Sequence, residues 1–467
     1  MSLQLWIIVI YFVVVNIIGV IVAKSSRSAD DFLLAGRSLT VPMCAAVIAG
    51  EWIGGTSTIG TAESAYIYGI SAGWYVISNV VGVVVLAYTL ARVYRRGGYY
   101  TVAELLEERY GVGGRVAAGV VLTFVMIVTG SVQIVAGATL IRTLTGLSSN
   151  ISIVITGIVF LIYTLAGGLV SIGYTNVIHM VMIYVGILGA MFVTMRDAGG
   201  VSRLVTELPA FPYFSLVGTG AGTVIARIMS SILAALVAQA AVQPIMAAKD
   251  EGTAQRATFV AAFLIVPIGL ATTLMGMFAR VKLPGILPRE ALPMLLADMA
   301  PFAGGIVLTG IAAAILSTVA PCILAAGTLL ASDVYKRVIN PAASDLQIYR
   351  VSRWFTLMCG LLAIVWAMYC KIILDQIYFA YSLRAAIAIL AVLAVYAKKI
   401  PTWVGAWSLG LAAVTALSWE GFKAVNGFYP MNIDITYATL LVTAGVALLG
   451  RLFCSGQVSP DKTSALQ

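Results

Sequence analysis

The chain has 467 residues, 61% of them hydrophobic and only 10% charged, with a mean hydropathy of +1.01. A soluble protein of this length could not cover so much apolar surface, so the class is polytopic, all-α membrane protein. The net charge of +9 marks loops beside anionic lipid at the cytoplasmic face rather than a nucleic-acid partner. Five cysteines without paired spacing and one histidine, His179, exclude a disulfide framework and a multi-histidine metal centre.

About 13 apolar spans are expected. The first, 5–23, lacks a basic leader and a small-residue cleavage site and is followed by Lys24 and Arg27. It therefore reads as a retained helix rather than a signal peptide. The second, 41–68, is interrupted by Gly50-Glu51-Trp52-Ile53-Gly54-Gly55-Thr56-Ser57-Thr58. Backbone that leaves the helix at membrane depth is tolerated only where it is buried in protein or lines a cavity. Many secondary transporters hold substrate and coupling ions at such breaks. Glu51 and Glu63 lie in this span, where a carboxylate costs roughly 2.5–3.5 kcal/mol, so each needs a partner or a cavity. For Glu51 that is a cation, a proton, a donor-rich substrate, or a structural pair with Arg384 or Arg227. Glu63, nearer the outer end, suits a structural or gating role. Trp52 either packs as wall or offers its face to a cation.

Spans 74–94, 115–141, 151–166 and 175–195 follow. His179, one turn after Asn176, reads as a hydrogen-bonded core residue. In span 225–247, Ser230, Ser231, Gln239 and Gln243 would line one wall of a central site. Span 258–279 precedes span 304–333, whose Ser317 and Thr318 either bond back to their own helix or supply hydroxyl ligands. After span 352–370, span 376–397 carries Tyr378, Tyr381 and Arg384 on one helical face. An arginine there either grips a carboxylate or phosphate with two parallel bonds or neutralises Glu51. Spans 403–419 and 435–453 and a polar tail, 454–467, complete the chain.

With residues 24–40 inside, roughly 18 of the Lys and Arg residues fall on the cytoplasmic side. Arg92, Arg95, Arg96, Lys336, Arg337, Arg350, Arg353, Lys398 and Lys399 are among them. The N-terminus is then outside and the C-terminus cytoplasmic, in a plasma membrane. One transmembrane domain over 1–453 is expected, with no soluble module. The Walker A pattern is absent, so energy comes from an ion gradient, from the solute's own gradient or from a partner. No nucleophile–base–acid set is present, so an enzyme is not expected.

Three stretches then stand out. Phe32-Leu33-Leu34-Ala35-Gly36-Arg37-Ser38-Leu39 leads into the broken span. Gln239-Ala240-Ala241-Val242-Gln243 leads to Ala247-Ala248-Lys249-Asp250. Ala314-Ile315-Leu316-Ser317-Thr318 leads to Ser332-Asp333-Val334-Tyr335-Lys336. In this order and spacing they resemble the sodium:solute symporter family over roughly residues 1–453. The resemblance implies the 5+5 inverted repeat of the leucine transporter over about 41–397, with discontinuous helices 1 and 6. Helices 5–23, 403–419 and 435–453 are then peripheral.

The family's common sodium site maps onto the carbonyls of Gly50, Ile53 and Ala314 and the side chains of Ser317 and Thr318. Such an oxygen set suits a hard cation. Members with a second sodium use an aspartate and a further serine where this chain has Asn176 and Ala314, so one coupling ion is expected. The choline branch builds an aromatic cage that includes the equivalent of Trp52, but its second tryptophan is Ala238 here. The resulting expectation is a sodium-coupled symporter importing a small polar organic solute, with the membrane lipid and the solute as its partners and a monomer sufficient. Glu51, Trp52, Ser231, Gln239, Tyr381 and Arg384 form the expected solute site. Glu51 suits an amine, Arg384 a carboxylate, and both together a zwitterion. A sodium-independent facilitator or channel-like conductor, or a nutrient sensor that keeps the fold, are the alternatives.

Overall fold

A computed structural model describes residues 3–23, 29–197, 199–397 and 400–453. The expectations placed on Lys24, Arg27, Lys398, Lys399, Cys454 and the tail 454–467 lie outside the described residues. Among those described there is no strand, and the architecture is helical throughout. In chain order the helices are α1 (Leu3–Ala23), α2 (Ala29–Leu34), α3 (Val41–Trp52), α4 (Thr61–Tyr68), α5 (Trp74–Thr89), α6 (Ala91–Arg96) and α7 (Val102–Thr145). There follow α8 (Ser149–Ile183), α9 (Gly189–Asp197), α10 (Gly200–Glu207), α11 (Ala210–Tyr213), α12 (Ala221–Leu236), α13 (Gln239–Met246) and α14 (Glu251–Lys282). The last are α15 (Ala291–Ala297), α16 (Pro301–Leu329), α17 (Asp345–Ala367), α18 (Ile373–Tyr396), α19 (Trp403–Asn426) and α20 (Ile435–Phe453).

The helices grade from lipid-facing to enclosed. α1 is rich in Val and Ile, and Trp6, Ile10, Ile17 and Ile21 are exposed along it. Apolar side chains on such a helix have hydrocarbon as their solvent, so exposure carries no penalty. α16 is the opposite case, almost wholly enclosed. Its small residues let other backbones come close, as at Gly310, where an added Cβ would fall 2.8 Å from the Met182 carbonyl.

Two helix breaks bear on the site. α3 ends at Ile53 (φ −97°, ψ 58°), and the chain re-enters helical geometry through a wide turn at Thr56–Gly60 before α4. α12 ends at Val237 (φ −132°, ψ 19°), and α13 begins after Ala238. The Leu236 carbonyl freed at this second break accepts from Tyr94 Oη at 2.9 Å. The broken pair is pinned at one end: Leu39 N donates to Ala247 O (3.1 Å) and Lys249 N to Leu39 O (3.2 Å). There Asp250 caps α14 by accepting from Thr253 N at 2.7 Å, a bond that holds its exposed carboxyl below the ordinary carboxylate range.

Among the described residues, ten helical segments are long and apolar enough to cross a membrane, by length and composition. Val41–Trp52 and Ser149–Leu165 are apolar but shorter. The expected spans 151–166 and 175–195 correspond to the apolar segments Ser149–Leu165 and Gly168–Asp197, which meet at a sharp turn at Gly168 (φ +60°) rather than across a loop. α4 and α5 meet at Gly69 (φ +67°), where a side chain would strike the Tyr213 backbone at 2.0 Å. Only glycine fits that corner.

Candidate functional site

The break in α3 lies against α16. Thr318 Oγ1 donates to the carbonyl of Gly50, in the last turn before the break, and also approaches Ala314 O at 3.2 Å. Ser317 Oγ donates to the same Ala314 carbonyl at 2.8 Å. A Cβ on Gly54 would fall 2.3 Å from Thr318 Oγ1, so the peptide joining Ile53 to Gly54 is also beside Thr318. Asn176 of α8 donates through Nδ2 to Ser317 O at 3.1 Å, while its Oδ1 is buried without a hydrogen-bond partner. Gly50 is required for this approach: a Cβ there would lie 2.8 Å from Asn176 Nδ2 and 3.0 Å from Ser317 O. The donor set is therefore neutral, oxygen-only and fully buried. It is held between two helices, a chemistry that suits a small hard cation.

One residue beyond Gly50 is a buried ion pair. Arg384 Nη2 of α18 donates to Glu51 Oε1 at 3.1 Å, with the two side chains 0% and 1% exposed. Glu51 Oε2 accepts from Cys322 Sγ of α16 at 3.0 Å. Arg384 Nη2 also reaches Thr129 Oγ1 of α7 at 3.4 Å. Nε and Nη1 of Arg384, and Nε1 of Trp52, are buried without partners.

Aromatic rings close over this pair. Trp52 meets Tyr381 edge-on at 6.2 Å, Tyr75 stacks on Tyr381, and their hydroxyls lie 3.1 Å apart. Tyr378 packs edge-on against both tyrosines. Arg384 lies over the Tyr381 ring at 5.4 Å and Arg227 over Tyr378 at 4.8 Å.

Charged clusters flank this centre. At one end a cavity of about 280 Å³ is lined by Glu63, Arg227, Asp375, Tyr378, Lys423 and Asp434 among others. Its floor includes Tyr378 but neither Glu51 nor Arg384. Asp375 bridges Arg227 (3.4 Å) and Lys423 (3.3 Å), tying α18 to α12 and α19. At the other end Arg115 of α7 contacts Glu104, Glu107 and Asp333, each at 2.7 Å, and Thr101 donates to Asp333 at 2.9 Å.

The structure thus brings Gly50, Ile53, Ala314, Ser317 and Thr318 together, and beside them Glu51, Trp52, Tyr381 and Arg384. Of Glu51's two candidate partners it selects Arg384, since Arg227 pairs with Asp375. Ser231 is buried beside Tyr378. Gln239 departs from expectation: its Oε1 accepts from Val102 N (2.8 Å) and its Nε2 donates to Tyr100 O (3.3 Å). Both ends of its amide are occupied by the start of α7, away from the ion pair. His179 sits buried between the hydroxyls of Tyr11 (2.5 Å) and Tyr163 (3.2 Å), as a core histidine does.

Sequence reasoning missed Gln133, which fills the α3 break. Its Oε1 accepts from Gly55 N at 2.6 Å and its Nε2 donates to Thr56 Oγ1 at 3.2 Å. An amide in the middle of an apolar span was the available signal. Thr129, Cys322 and Tyr75 were missed too, and they carry no comparable mark.

A sequence model of the sodium:solute symporter family matches residues 32–411. The chain is 23% identical to the high-affinity choline transporter 1 of Caenorhabditis elegans, over 97% of this chain and 86% of that protein. It is 25% identical to the sodium/glucose cotransporter 1 of Oryctolagus cuniculus, over 88% and 71% respectively. A Na+-coupled sialic acid symporter, solved substrate-bound and outward-open, superposes with a TM-score of 0.83 at 16% identity, covering 98% of this chain and 99% of that one. The chain belongs to the sodium:solute symporter family, whose members are membrane transporters and not enzymes.

Proposed function

We propose that this protein is a sodium-coupled secondary active symporter that imports a small polar organic solute across a plasma membrane by alternating access. The observation that carries the reading is the link from Thr318 Oγ1 to the Gly50 carbonyl at the α3 break. It makes one oxygen set out of two helices, so a cation bound there stabilises one arrangement of the helices over another. The names of the relatives, which include sodium/glucose and choline transporters, support sodium coupling and a small organic solute.

Joining the halves of the broken helices, dividing α8 at Gly168 and counting α19 gives about 13 crossings. The core repeat spans 41–397, with α1, α19 and α20 outside it, in one transmembrane domain over 1–453. Sodium is held by Gly50, Ile53, Ala314, Ser317 and Thr318. The solute is held near Glu51, Trp52, Ser231, Tyr381 and Arg384. The cavity at Arg227 faces outward, because Arg95, Arg96, Arg115, Lys336 and Arg337 gather at the opposite end, as cytoplasmic charge does. Sodium binds first, the solute follows, and the Arg227–Asp375–Lys423 and Arg115–Asp333 clusters close the two ends in turn.

The test is solute uptake into proteoliposomes with an imposed inward sodium gradient, using radiolabelled monocarboxylates, amino acids and amines. Accumulation that requires sodium is expected. Uptake that proceeds equally in potassium and never exceeds equilibrium would replace the symporter with a facilitator.

A further inference from the structure

Among the described residues Arg384 is the most deeply buried cation, and its hydrogen bonding is incomplete. A guanidinium carries five N–H donors in a planar fork. Nη2 is used by Glu51 and Thr129, whereas the Nε–H and both Nη1 protons have no acceptor. Buried unsatisfied donors of a charged group are costly. In a transporter, a ligand can supply the missing acceptors.

The charges around Arg384 say what kind of ligand. The five oxygens at Gly50, Ile53, Ala314, Ser317 and Thr318 are neutral, so a sodium ion there adds one uncompensated positive charge. Glu51 balances Arg384. The sodium-loaded centre then holds one positive charge in surplus, one residue away from the ion pair. A single carboxylate neutralises it. A phosphate brings about −1.5 to −2 and overshoots. A cation raises the surplus and finds no host, since Glu51 Oε1 faces Arg384 and Oε2 accepts from Cys322. Two of the four rings at the centre already carry a cation on their faces: Arg384 lies over Tyr381, and Arg227 over Tyr378. The ammonium of a zwitterion meets the same obstacle.

We propose that the solute is a small monocarboxylate, bound through its carboxylate to the free Nε and Nη1 donors of Arg384, with its uncharged body against Trp52 and Tyr381. The assignment rests on the sodium-coupled reading above, because the surplus charge that selects an anion comes from the coupling ion. It makes Arg384 a binding residue, and Glu51 the group that lets a guanidinium stay buried while the site is empty.

The experiment is thermal unfolding of the full-length protein in lipid nanodiscs, in NaCl and in KCl. The probes are acetate, propionate, lactate and pyruvate, with alanine as zwitterion and choline as cation. Sodium alone should stabilise the protein. At least one of the four monocarboxylates should stabilise it further in NaCl and not in KCl, while alanine and choline do nothing. Arg384→Lys keeps the charge but loses the fork, and should weaken the carboxylate response about tenfold or more. The charge-free pair Arg384→Met with Glu51→Gln should keep the sodium response, which reports a folded protein, and lose the carboxylate response. A sodium response with no response to any of the four carboxylates overturns the assignment and leaves the symporter reading standing. So does stabilisation by choline or alanine alone, or a carboxylate response that survives in the charge-free pair. No sodium response in the wild type overturns both.

Discussion

Removing Arg384 while keeping Glu51 is the most informative single perturbation of the centre. The pair is 0% and 1% exposed, so Arg384→Ala leaves a carboxylate in the protein interior with only Cys322 for a partner. Breaking a buried pair from one side costs about 3–5 kcal/mol, whereas replacing both partners by uncharged residues of similar volume is near neutral. Arg384→Ala should therefore lower folding stability by about 3–5 kcal/mol. Arg384→Met with Glu51→Gln should return it to within about 1 kcal/mol of wild type. The assay is denaturant unfolding in micelles, read by near-UV circular dichroism, with solute uptake measured on the same samples. If Arg384 also binds the solute, the double variant recovers stability but not uptake. A single variant within about 1 kcal/mol of wild type would show that Glu51 and Arg384 do not depend on one another, and the reasoning would fail.

Arg227→Ala should impair uptake less than Arg384→Ala, because Arg227 lines an open cavity and is partly exposed, and Lys423 still neutralises Asp375; equal loss from both variants would contradict this. Gly50→Ala should abolish stabilisation by sodium, since the new methyl lies 3.0 Å from the Ser317 carbonyl and parts α3 from α16; an unchanged sodium titration of its thermal unfolding would refute the close approach. One sodium should move per solute, because Asn176 carries no charge. A membrane potential of 100 mV contributes roughly 2.3 kcal/mol per charge and a tenfold sodium gradient roughly 1.4 kcal/mol. An electrically neutral solute is then accumulated up to on the order of 500-fold, but a monocarboxylate, which cancels the sodium charge, only about tenfold. Steady-state accumulation of radiolabelled solute in proteoliposomes at varied sodium gradients measures this, and an accumulation ratio rising with the square of the sodium gradient would contradict the role given to Asn176.

The ionisable residues at membrane depth were legible because hydrocarbon makes each of them costly. Glu51 and Arg384 stand out in apolar sequence, and the short list of possible partners contained the one the fold uses. The break after Ile53 was legible for the same reason: glycines and hydroxyls there interrupt an otherwise unbroken span. The polar contacts of Gln239 and Gln133 were not legible. Both are amides in apolar helices, and which one meets backbone at α7 and which fills the α3 break depends on helix rotation and depth. Local sequence encodes neither. Cys322 and Thr129 are small enough to pass as ordinary core residues, and only the cross-helix distances to Glu51 and Arg384 single them out. The division between the spans near residue 166 is present but narrower than the gap 166–175, because glycine marks a turn without saying how wide it is. Gly168 turns α8 within a single residue, and no loop follows.

The central claim is that the Gly50–Thr318 contact marks a cation site built from two helices. Equilibrium binding of radioactive sodium to the purified protein tests it without any knowledge of the solute. Wild type should bind sodium saturably, with potassium a poor competitor. Ser317→Ala with Thr318→Ala removes two of five oxygen ligands while keeping a helical, uncharged α16, and should raise the sodium concentration for half-saturation at least about tenfold, the change that 1.4 kcal/mol produces. Sodium binding by the double variant with wild-type affinity would contradict the account.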